Sequence, residues 1–364
     1  MKVLFLEAFY GGSHQDVADG ICRHSRHTID LYTLPARFWK WRMRGAALYF
    51  IQAVKTLSAY DALLVSDLMS LSDFKALAGG RLPPALVYFH ENQLTYPVAR
   101  EEVRDVHFGF TDITSALAAD RVLFNSRTHC RRFFDHLPGF LRLMPDFRPS
   151  WVFDEIRGKT AVCHPGCQFS ARPHPLSPRP QAPPLVIWNH RWEHDKQPDV
   201  FFAALEKIED KGIDFRLAAL GETYETVPAV FETAKCRFAS KIRHWGYAAD
   251  KAAYHDWLAR GSIVISTAIQ ENFGISIIEA VRFGCLPLLP NRLSYPEVLP
   301  GFAHAPCLYE SFNEMVEKLA HMLTHPDDYE ALRCSLSRAM ADYAWESRIA
   351  ALDRELDRLA ATVG

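Results

Sequence analysis

The stretch Gly261–Cys285, GSIVISTAIQENFGISIIEAVRFGC, decides how the rest of the chain is read. Ser262–Ser266 is short, apolar and β-branched, the pattern of a strand buried in a parallel sheet. A polar loop, Thr267–Asn272, follows, and from Ile275 to Phe283 apolar residues recur at helical spacing. A helix starting near Gly274 turns the N–H groups of its first turn toward the loop at the carboxyl end of the strand, which makes an anion site. Glu271 stays on that loop, and Glu279 lies about one and a half turns into the helix, roughly 7 to 8 Å along its axis. A diphosphate at the helix mouth would have one carboxylate beside the group at each of its ends. Acceptor-only side chains suit hydroxyl-rich groups such as a sugar and a ribose. Two solvated charges on a helix surface would fit the bare spacing equally well. The strand before it, the turn Asn272-Phe273-Gly274 and the run Gly284-Cys285-Leu286-Pro287 favour the site.

The chain has 364 residues, 49% of them hydrophobic, enough for two domains of ordinary size. The opening MKVLFLEAFYGGSH is too short in its apolar run and too acidic for a secretory leader. No run approaches the roughly 18 consecutive apolar residues of a membrane span, so a cytoplasmic protein that leaves membranes alone is expected. Of the eight cysteines none stands at C-x2-C spacing. Cys163 and Cys167 bracket His164, but in the cytoplasm they read as reduced residues near a turn rather than metal ligands. The net charge of -2 argues against indiscriminate nucleic-acid binding while allowing a local basic face. Residues 1–168 hold 20 Lys+Arg against 17 Asp+Glu, and the remainder 21 against 26.

Along the chain, strands and helices alternate in two blocks. Lys2–Leu6 reads as a strand running into Glu7-Ala-Phe-Tyr-Gly-Gly-Ser-His14, with a helix from Gln15 to Ser25 and Ser13 as its N-cap. Gly11-Gly12 sits at this first strand-to-helix turn, where doubly wound folds meet ligand phosphates or sugars, or else forms a plain tight turn. From Leu34 to Phe50 the residues Arg37, Trp39, Lys40, Trp41, Arg42 and Arg44 interleave basic and aromatic groups. That mixture suits phosphates and unstacked bases, and also an amphipathic helix with core tryptophans and solvated arginines. Further strands are expected at 62–66 and 85–89. The second ends in a polar cluster, His90, Glu91, Asn92 and Gln93, where open α/β sheets place their sites. A helix at 110–119 and strands at 121–124 and about 160–163 complete the first block, and Arg127, Arg131, Arg132, Arg142 and Arg148 add basic character.

The proline-rich 169–184 is expected to be a stiff linker. After it come strands at 185–188, 215–220, 242–246 and 286–290 and helices at 199–211, 251–259 and 311–325, with a last helical stretch over 326–359 in more than one piece. The expected organisation is an N-terminal domain over 1–168, the linker, a nucleotide-binding domain over 185–340, and a C-terminal helix over 341–364 packing back toward the first domain.

Arg191 and Lys196 share one loop at the carboxyl end of strand 185–188 and can converge on a diphosphate, the arginine as a fork and the lysine as a point charge. His190 to His194 also spells H-x-x-E-H, the pattern of a zinc peptidase group, which needs a helix. Following directly on a strand and shortly before Pro198, it reads as a loop. No aspartate-x-aspartate pair at a strand end offers to hold a divalent ion on a diphosphate, so a metal-free solution is expected.

The second block, with Gly221-Glu222, HWGY at 244–247, ENFGISIIEA at 271–280 and the 284–287 turn, resembles the retaining glycosyltransferases of the GT-B fold, family 4. More narrowly, EAFYGGSH at 7–14, YTLPARFWKWRMR at 32–44, ALYF at 47–50, YFHENQLTYPV at 88–98, HRWEHDK at 190–196 and LGETY at 220–224 resemble the tRNA-queuosine mannosyltransferases. The resemblance implies an α/β architecture of two Rossmann-like doubly wound domains facing each other across a cleft. It implies GDP-mannose as donor and, as acceptor, the cyclopentenediol hydroxyl of queuosine at the wobble position of an aspartate tRNA, with no metal or other cofactor. In this likeness Arg191 and Lys196 hold the diphosphate, Glu271 the sugar and Glu279 the ribose. Asn272, Phe273, Gly274 and Ile275 border the donor, the last three through backbone N–H groups, and the backbone near Gly221 and Tyr247 takes the base. His90 lies near the reacting centre, and Gly12 lets the acceptor-side loop approach the donor. Ser13, His14, Arg37, Trp39, Lys40, Trp41, Arg42, Arg44, Glu91, Asn92 and Gln93 fall on the acceptor side. Two rival readings are a glycosyltransferase of the same fold acting on a lipid or cell-wall glycan, and a tRNA- or nucleotide-binding module without turnover.

Overall fold

The computed structural model describes residues 1–80, 82–97, 104–169, 176, 183–222 and 227–361. Most of the expected linker over 169–184, together with Val98, Thr223 and Tyr224 of the quoted motifs, lies outside the described residues. The chain divides into two units, Met1–Gln168 with Tyr343–Gly364, and Phe169–Asp342.

The first unit is built on strands β1 Lys2–Tyr10, β2 Thr28–Pro35, β3 Ala62–Ser66, β4 Ala85–Phe89, β5 Arg121–Phe124 and β6 Thr160–Val162. They pair in parallel in the order β2-β1-β3-β4-β5-β6, so the winding of the sheet reverses between β1 and β3. Leu63, Val65, Val87, Phe89, Val122 and Phe124 supply a core against Phe133, Phe134 and Leu137. β1 runs beyond the expected Leu6. Glu7 still pairs with Thr33 before the register shifts, because its carboxylate finds hydrogen bonds inside the sheet. Ser13 is not a cap: the helix is Gly12–His24, Gly11 stands at its N-cap, and no side chain bonds the first turn. The arginine-rich segment read only as basic character contains helix Arg127–Leu141, whose Phe133, Phe134, Leu137, Phe140 and Leu141 are buried and whose N-cap Ser126 accepts from the His129 N–H at 2.9 Å.

The C-terminal helical stretch breaks into short turns and helix Glu330–Ala339 before helix Trp345–Ala361 returns to the first unit. Trp345 anchors it. A Cβ on Gly20 or on Gly166 would lie 2.0 or 2.3 Å from its indole, so both positions need glycine for close approach. Ser25 Oγ donates to Asp353 at 2.6 Å, and Arg121 pairs with Glu355.

The second unit has strands β7 Leu185–Trp188, β8 Arg216–Leu220, β9 Ile242–Gly246, β10 Ile263–Ile265, β11 Leu286–Pro290 and β12 Leu308–Tyr309. All are parallel, in the order β12-β11-β10-β7-β8-β9. This is the doubly wound dinucleotide-type order, with its switch between β7 and β10. Among the described residues no helix is long and apolar enough to cross a membrane.

Candidate active site

In each unit the chemistry-bearing side chains gather where the sheet reverses its winding, outside the carboxyl ends of the two strands that part there.

In the second unit β7 delivers the loop 189–197 and β10 the loop 266–274. The two are tied together by Thr267 Oγ1 donating to the carbonyls of Lys196 and Gln197 at 2.7 and 3.0 Å, and by the Ile269 N–H donating to Asp195 O at 2.8 Å. Lys196 is buried among them. Its Nζ donates to Gln270 O at 2.7 Å and stands 3.3 Å from Asp195 and 3.7 Å from Glu271. Burial alone would raise the carboxyl of Asp195, but Lys196 and then Arg191 hold it below the ordinary range. Asp195 is fully buried and therefore fixes the lysine ammonium in place. Arg191 is more exposed, paired with Glu193 at 3.1 Å. His194–Lys196 forms a single tight turn and Pro198 opens the next helix, so His190 and His194 share no helical face. Burial, then Lys196, pushes His190 down to about 3, a neutral core imidazole.

Gly274 takes the left-handed conformation, φ +98°, and caps helix Ile275–Arg282. The helical ladder begins with Ile277 and Ile278 donating to Gly274 O, so the N–H groups of Gly274, Ile275 and Ser276 precede it at the loop. The Phe273 N–H donates to Glu271 Oε1 at 3.4 Å, and Ser294 Oγ holds Phe273 O at 2.9 Å. Asn272 is buried and accepts from Gln270 Nε2 at 3.1 Å. Glu279 lies inside the helix as expected, but it is buried. Lys251 Nζ at 2.7 Å and His255 Nε2 at 3.8 Å face it from helix Lys251–Arg260. Against the burial that would raise it, Lys251 and His255 hold the carboxyl of Glu279 below the ordinary range. A Cβ on Gly221 would come 1.9 Å from His190 O, so the chain after β8 passes the β7 loop at backbone contact. Tyr247, after β9, is exposed.

In the first unit Glu7 is fully buried. Its Oε1 accepts from the Phe9 N–H at 2.8 Å and from Ser66 Oγ at 3.0 Å, and its Oε2 faces His14 Nδ1 at 3.3 Å. The His14 ring lies 4.6 Å from the His90 ring. Asp67, just past β3, accepts the N–H groups of His90 and Glu91 at 2.9 and 3.2 Å. Glu7, His14 and His90 bring ligand-type atoms within 4.8 Å of one another. Glu7 meets three hydrogen-bonding partners in this arrangement, His14 Nδ1 among them. Ser13 and Gly12 are exposed beside them.

Asn92 is buried: its Oδ1 accepts from Leu94, Thr95 N–H and Thr95 Oγ1, and its Nδ2 meets His129 Nε2 at 2.8 Å. Its carbonyl oxygen is spent on shaping its own loop. Gln93, half-buried, donates its N–H to Asp112 at 2.6 Å and its amide to Glu91 at 3.2 Å. In helix Trp39–Ala53 the residues Met43, Ala46, Ala47 and Phe50 face the core. Trp39 packs with Phe108 at 5.1 Å, whereas Trp41 is 76% exposed, with Phe38 beside it. Arg42 is committed to Pro35 O at 3.2 Å, and Arg44 lies over the Phe108 ring at 5.5 Å. Arg37 and Lys40 are exposed.

Residues 2–167 match the family model "tRNA-queuosine alpha-mannosyltransferase N-terminal", and residues 174–335 match "Glycosyl transferases group 1". The tRNA-queuosine alpha-mannosyltransferase of Drosophila melanogaster is 36% identical over 337 residues, 89% of this chain and 87% of that protein. The chain belongs to this family of glycosyltransferases. Among solved structures, sucrose-phosphate synthase from Thermosynechococcus elongatus superposes with a TM-score of 0.75 at 14% identity, both chains covered in full. The catalytic domain of starch synthase IV from Arabidopsis thaliana, bound to ADP and acarbose, gives 0.72 at 12% identity over 99% of each chain. These distant likenesses establish the GT-B fold.

Sequence reading missed Asp195, Lys251 and His255 in the second unit and Glu7 and Asp67 in the first. Asp195 and Glu7 each lay inside a quoted motif, so both could have been weighed. Lys251 and His255 stand four apart on one helix face, a signal that gains meaning only once Glu279 is known to lie opposite.

Proposed function

We propose that the protein transfers mannose from GDP-mannose, with retention, to the cyclopentenediol of queuosine at the wobble position of tRNA-Asp in the cytoplasm. The 36% identity to the Drosophila enzyme across both units carries this reading. The second unit takes the nucleotide sugar. Arg191, Lys196 and the N–H groups at Gly274 and Ile275 meet the charge that grows on the departing diphosphate, stabilising the transition state more than the ground state without a metal ion. Glu271 would orient the mannose and Glu279 the ribose, the latter after Lys251 yields or shares the carboxylate. The base would rest on the backbone by Gly221 and Tyr247. On the acceptor side His90 attends the reacting centre, with Gly12, Ser13, His14, Glu91 and Gln93 nearby. Phe38 and Trp41 offer stacking faces, and Arg37, Lys40 and Arg44 offer cations to the RNA. In the reaction the acceptor oxygen bonds to the anomeric carbon as the bond to the phosphate oxygen breaks on the same face. The acceptor proton passes to that departing oxygen.

Exposed Phe38, Trp41, Leu48 and Tyr49 among arginines also favour a second reading, a helix that lies on a lipid surface beside a lipid-linked acceptor. The deciding experiment is mass spectrometry of nucleosides from queuosine-containing tRNA after incubation with the protein and GDP-mannose. One hexose gained on queuosine establishes donor and acceptor together. Release of GDP with no gain, and flotation with anionic vesicles, would move the acceptor to the second reading.

A further inference from the structure

The first unit holds a buried array that transfer of a sugar does not by itself require. Glu7 on β1 and His14 on the following helix form an ion pair sealed from solvent, and His14 lies ring against ring on His90 at the end of β4. An ion pair buried at the point where β1 and β3 part is costly to desolvate and is expected to be retained for what it does to its neighbours.

We propose that the Glu7–His14 pair is a positioning device for His90: a permanent imidazolium, clamped by a buried carboxylate, that holds the neighbouring imidazole neutral and in one orientation while the acceptor reacts. This rests on the reading that places His90 at the reacting centre. Three independent features point the same way. Glu7 has no freedom, since Ser66 and the Phe9 backbone fix the oxygen that His14 does not use. The His90 backbone is pinned by Asp67 through its N–H and by Asn125 through its carbonyl, and its ring lies between those of His14 and Tyr88, at 4.6 and 4.8 Å. The charges agree as well. Burial would lower His14, but Glu7 first and then Asp67 and Glu91 raise it to about 9. Burial and then His14 push His90 down to about 3, only partly opposed by Glu7.

The other titratable groups around the array belong to the same balance. Asp67 is lifted to about 7 by burial, with Glu91 and Glu7 adding to that and His14 opposing it. Asp112, behind Gln93, is pushed well above its usual range by burial. His129, held between Asn92 and Asn125, is pushed to about 3 by burial and is neutral. Of the three imidazoles described here, His14 is the one raised rather than lowered. A neutral His90 can donate from one ring nitrogen and accept at the other, as a hydroxyl-bearing partner needs; a doubly protonated ring could only donate.

The test uses the full chain with isotope-labelled histidine, the His90 signal being assigned by its loss in His90→Gln. The His90 ring should stay neutral in the wild type to about pH 5, with His14 still protonated at pH 8. In His14→Gln the His90 midpoint should rise by about one pH unit, a tenfold gain in protonation. The acid limb of the pH profile of kcat/KM for mannosyl transfer should rise with it, and His14→Lys should restore the wild-type position. An unchanged His90 midpoint in a folded His14→Gln protein overturns the proposal. So does a His14 that is neutral at pH 7.5, or one equivalent of transition metal bound to the purified wild type and removed with the His14 side chain. If the His90 midpoint moves while the pH profile stays still, the device stands and the placement of His90 at the reacting centre is what fails.

Discussion

The two units repeat one grammar, a parallel sheet with its working groups at the point where the winding reverses, and they fill that point with opposite chemistry. Between β7 and β10 stand groups joined by direct ion pairs: Lys196 at 3.3 Å from Asp195 and 3.7 Å from Glu271, with Arg191 paired to Glu193 on the same loop. Between β1 and β3, and on β4 next to them, stand His14, His90, Glu7 and Asp67, whose protonation is set by one another. A departing diphosphate needs fixed positive charge, and a hydroxyl acceptor needs groups whose protons can be placed. The same topology therefore supports a charge clamp in one unit and a proton-ordered nest in the other.

The comparison breaks first at Lys196. Lys196→Ala should lower turnover by about 10²- to 10³-fold, the cost of removing one preorganised donor from developing charge. Because the change also strands buried Asp195, thermal melting must be read alongside, and Asp195→Asn/Lys196→Met restores a neutral interior while leaving turnover low. Turnover within a few fold of wild type in either variant would show that the clamp does not meet the diphosphate. Glu279→Gln comes next. A charged acceptor of ribose hydroxyls is worth about 10- to 100-fold in donor affinity, so KM for the nucleotide sugar should rise by that factor while kcat holds within a few fold. Lys251→Met, which frees the carboxylate of its cation, should tighten nucleotide binding if Lys251 competes with the ribose and weaken it if Lys251 helps to hold it; calorimetry with GDP reads the sign.

How much of this was legible follows from what each signal depends on. The strands of the second block and the helix after Gly274 were readable because apolar period and a glycine turn are local properties. The loops that carry Arg191, Lys196 and Glu271 were readable as strand-end loops because each follows directly on a short apolar run, and Glu279 was readable as a helix residue from the apolar period around it. β2 at 28–35 escaped, since its inner residues are all half-buried between exposed ends and show no clean alternation. Helix Arg127–Leu141 escaped because five arginines drew the eye from its apolar face. Glu7 was legible as a motif residue but not as a buried one, because nothing local announces that a strand will carry a carboxylate into the sheet. Asn92 shows the reverse case: a polar residue at a strand end can be buried with its carbonyl oxygen turned back on its own loop.

The proton-ordered nest makes a prediction the clamp does not. His14 keeps its proton in the folded chain above the range in which it would lose it unfolded, so between pH 6.5 and about 9 the folded state binds more protons and stability falls as pH rises. Below pH 6.5 that contribution is fully present. Glu7, held low by His14 against its burial, supplies the opposite slope in acid, its stabilisation fading as pH drops below 4.5. Amide exchange along β1 should therefore quicken between pH 6.5 and 9 beyond its intrinsic pH dependence, by an amount on the order of 1–3 kcal/mol of local stability. Exchange along β10, in the unit that does not contain His14, should show no such slope, and His14→Gln should remove the slope from β1. Equal slopes in both strands would erase the contrast between the units.

The smallest effect separates residues within one helix. Arg44 and Arg37 have cations at the surface, whereas Arg42 spends its guanidinium on Pro35 O at the head of helix Trp39–Ala53. If this face receives tRNA, each of Arg37→Ala and Arg44→Ala should reduce the slope of log affinity against log salt by about 1, and Arg42→Ala should leave the slope nearly unchanged while loosening the turn that presents Trp41. Trp41→Ala should weaken tRNA binding by about 1–3 kcal/mol with no change in slope, because stacking carries no counterion. Filter binding across a salt series distinguishes the three. A uniform loss of slope at all three arginines would mean that Arg42 releases Pro35 on binding, and that this turn must rearrange before the RNA can be held.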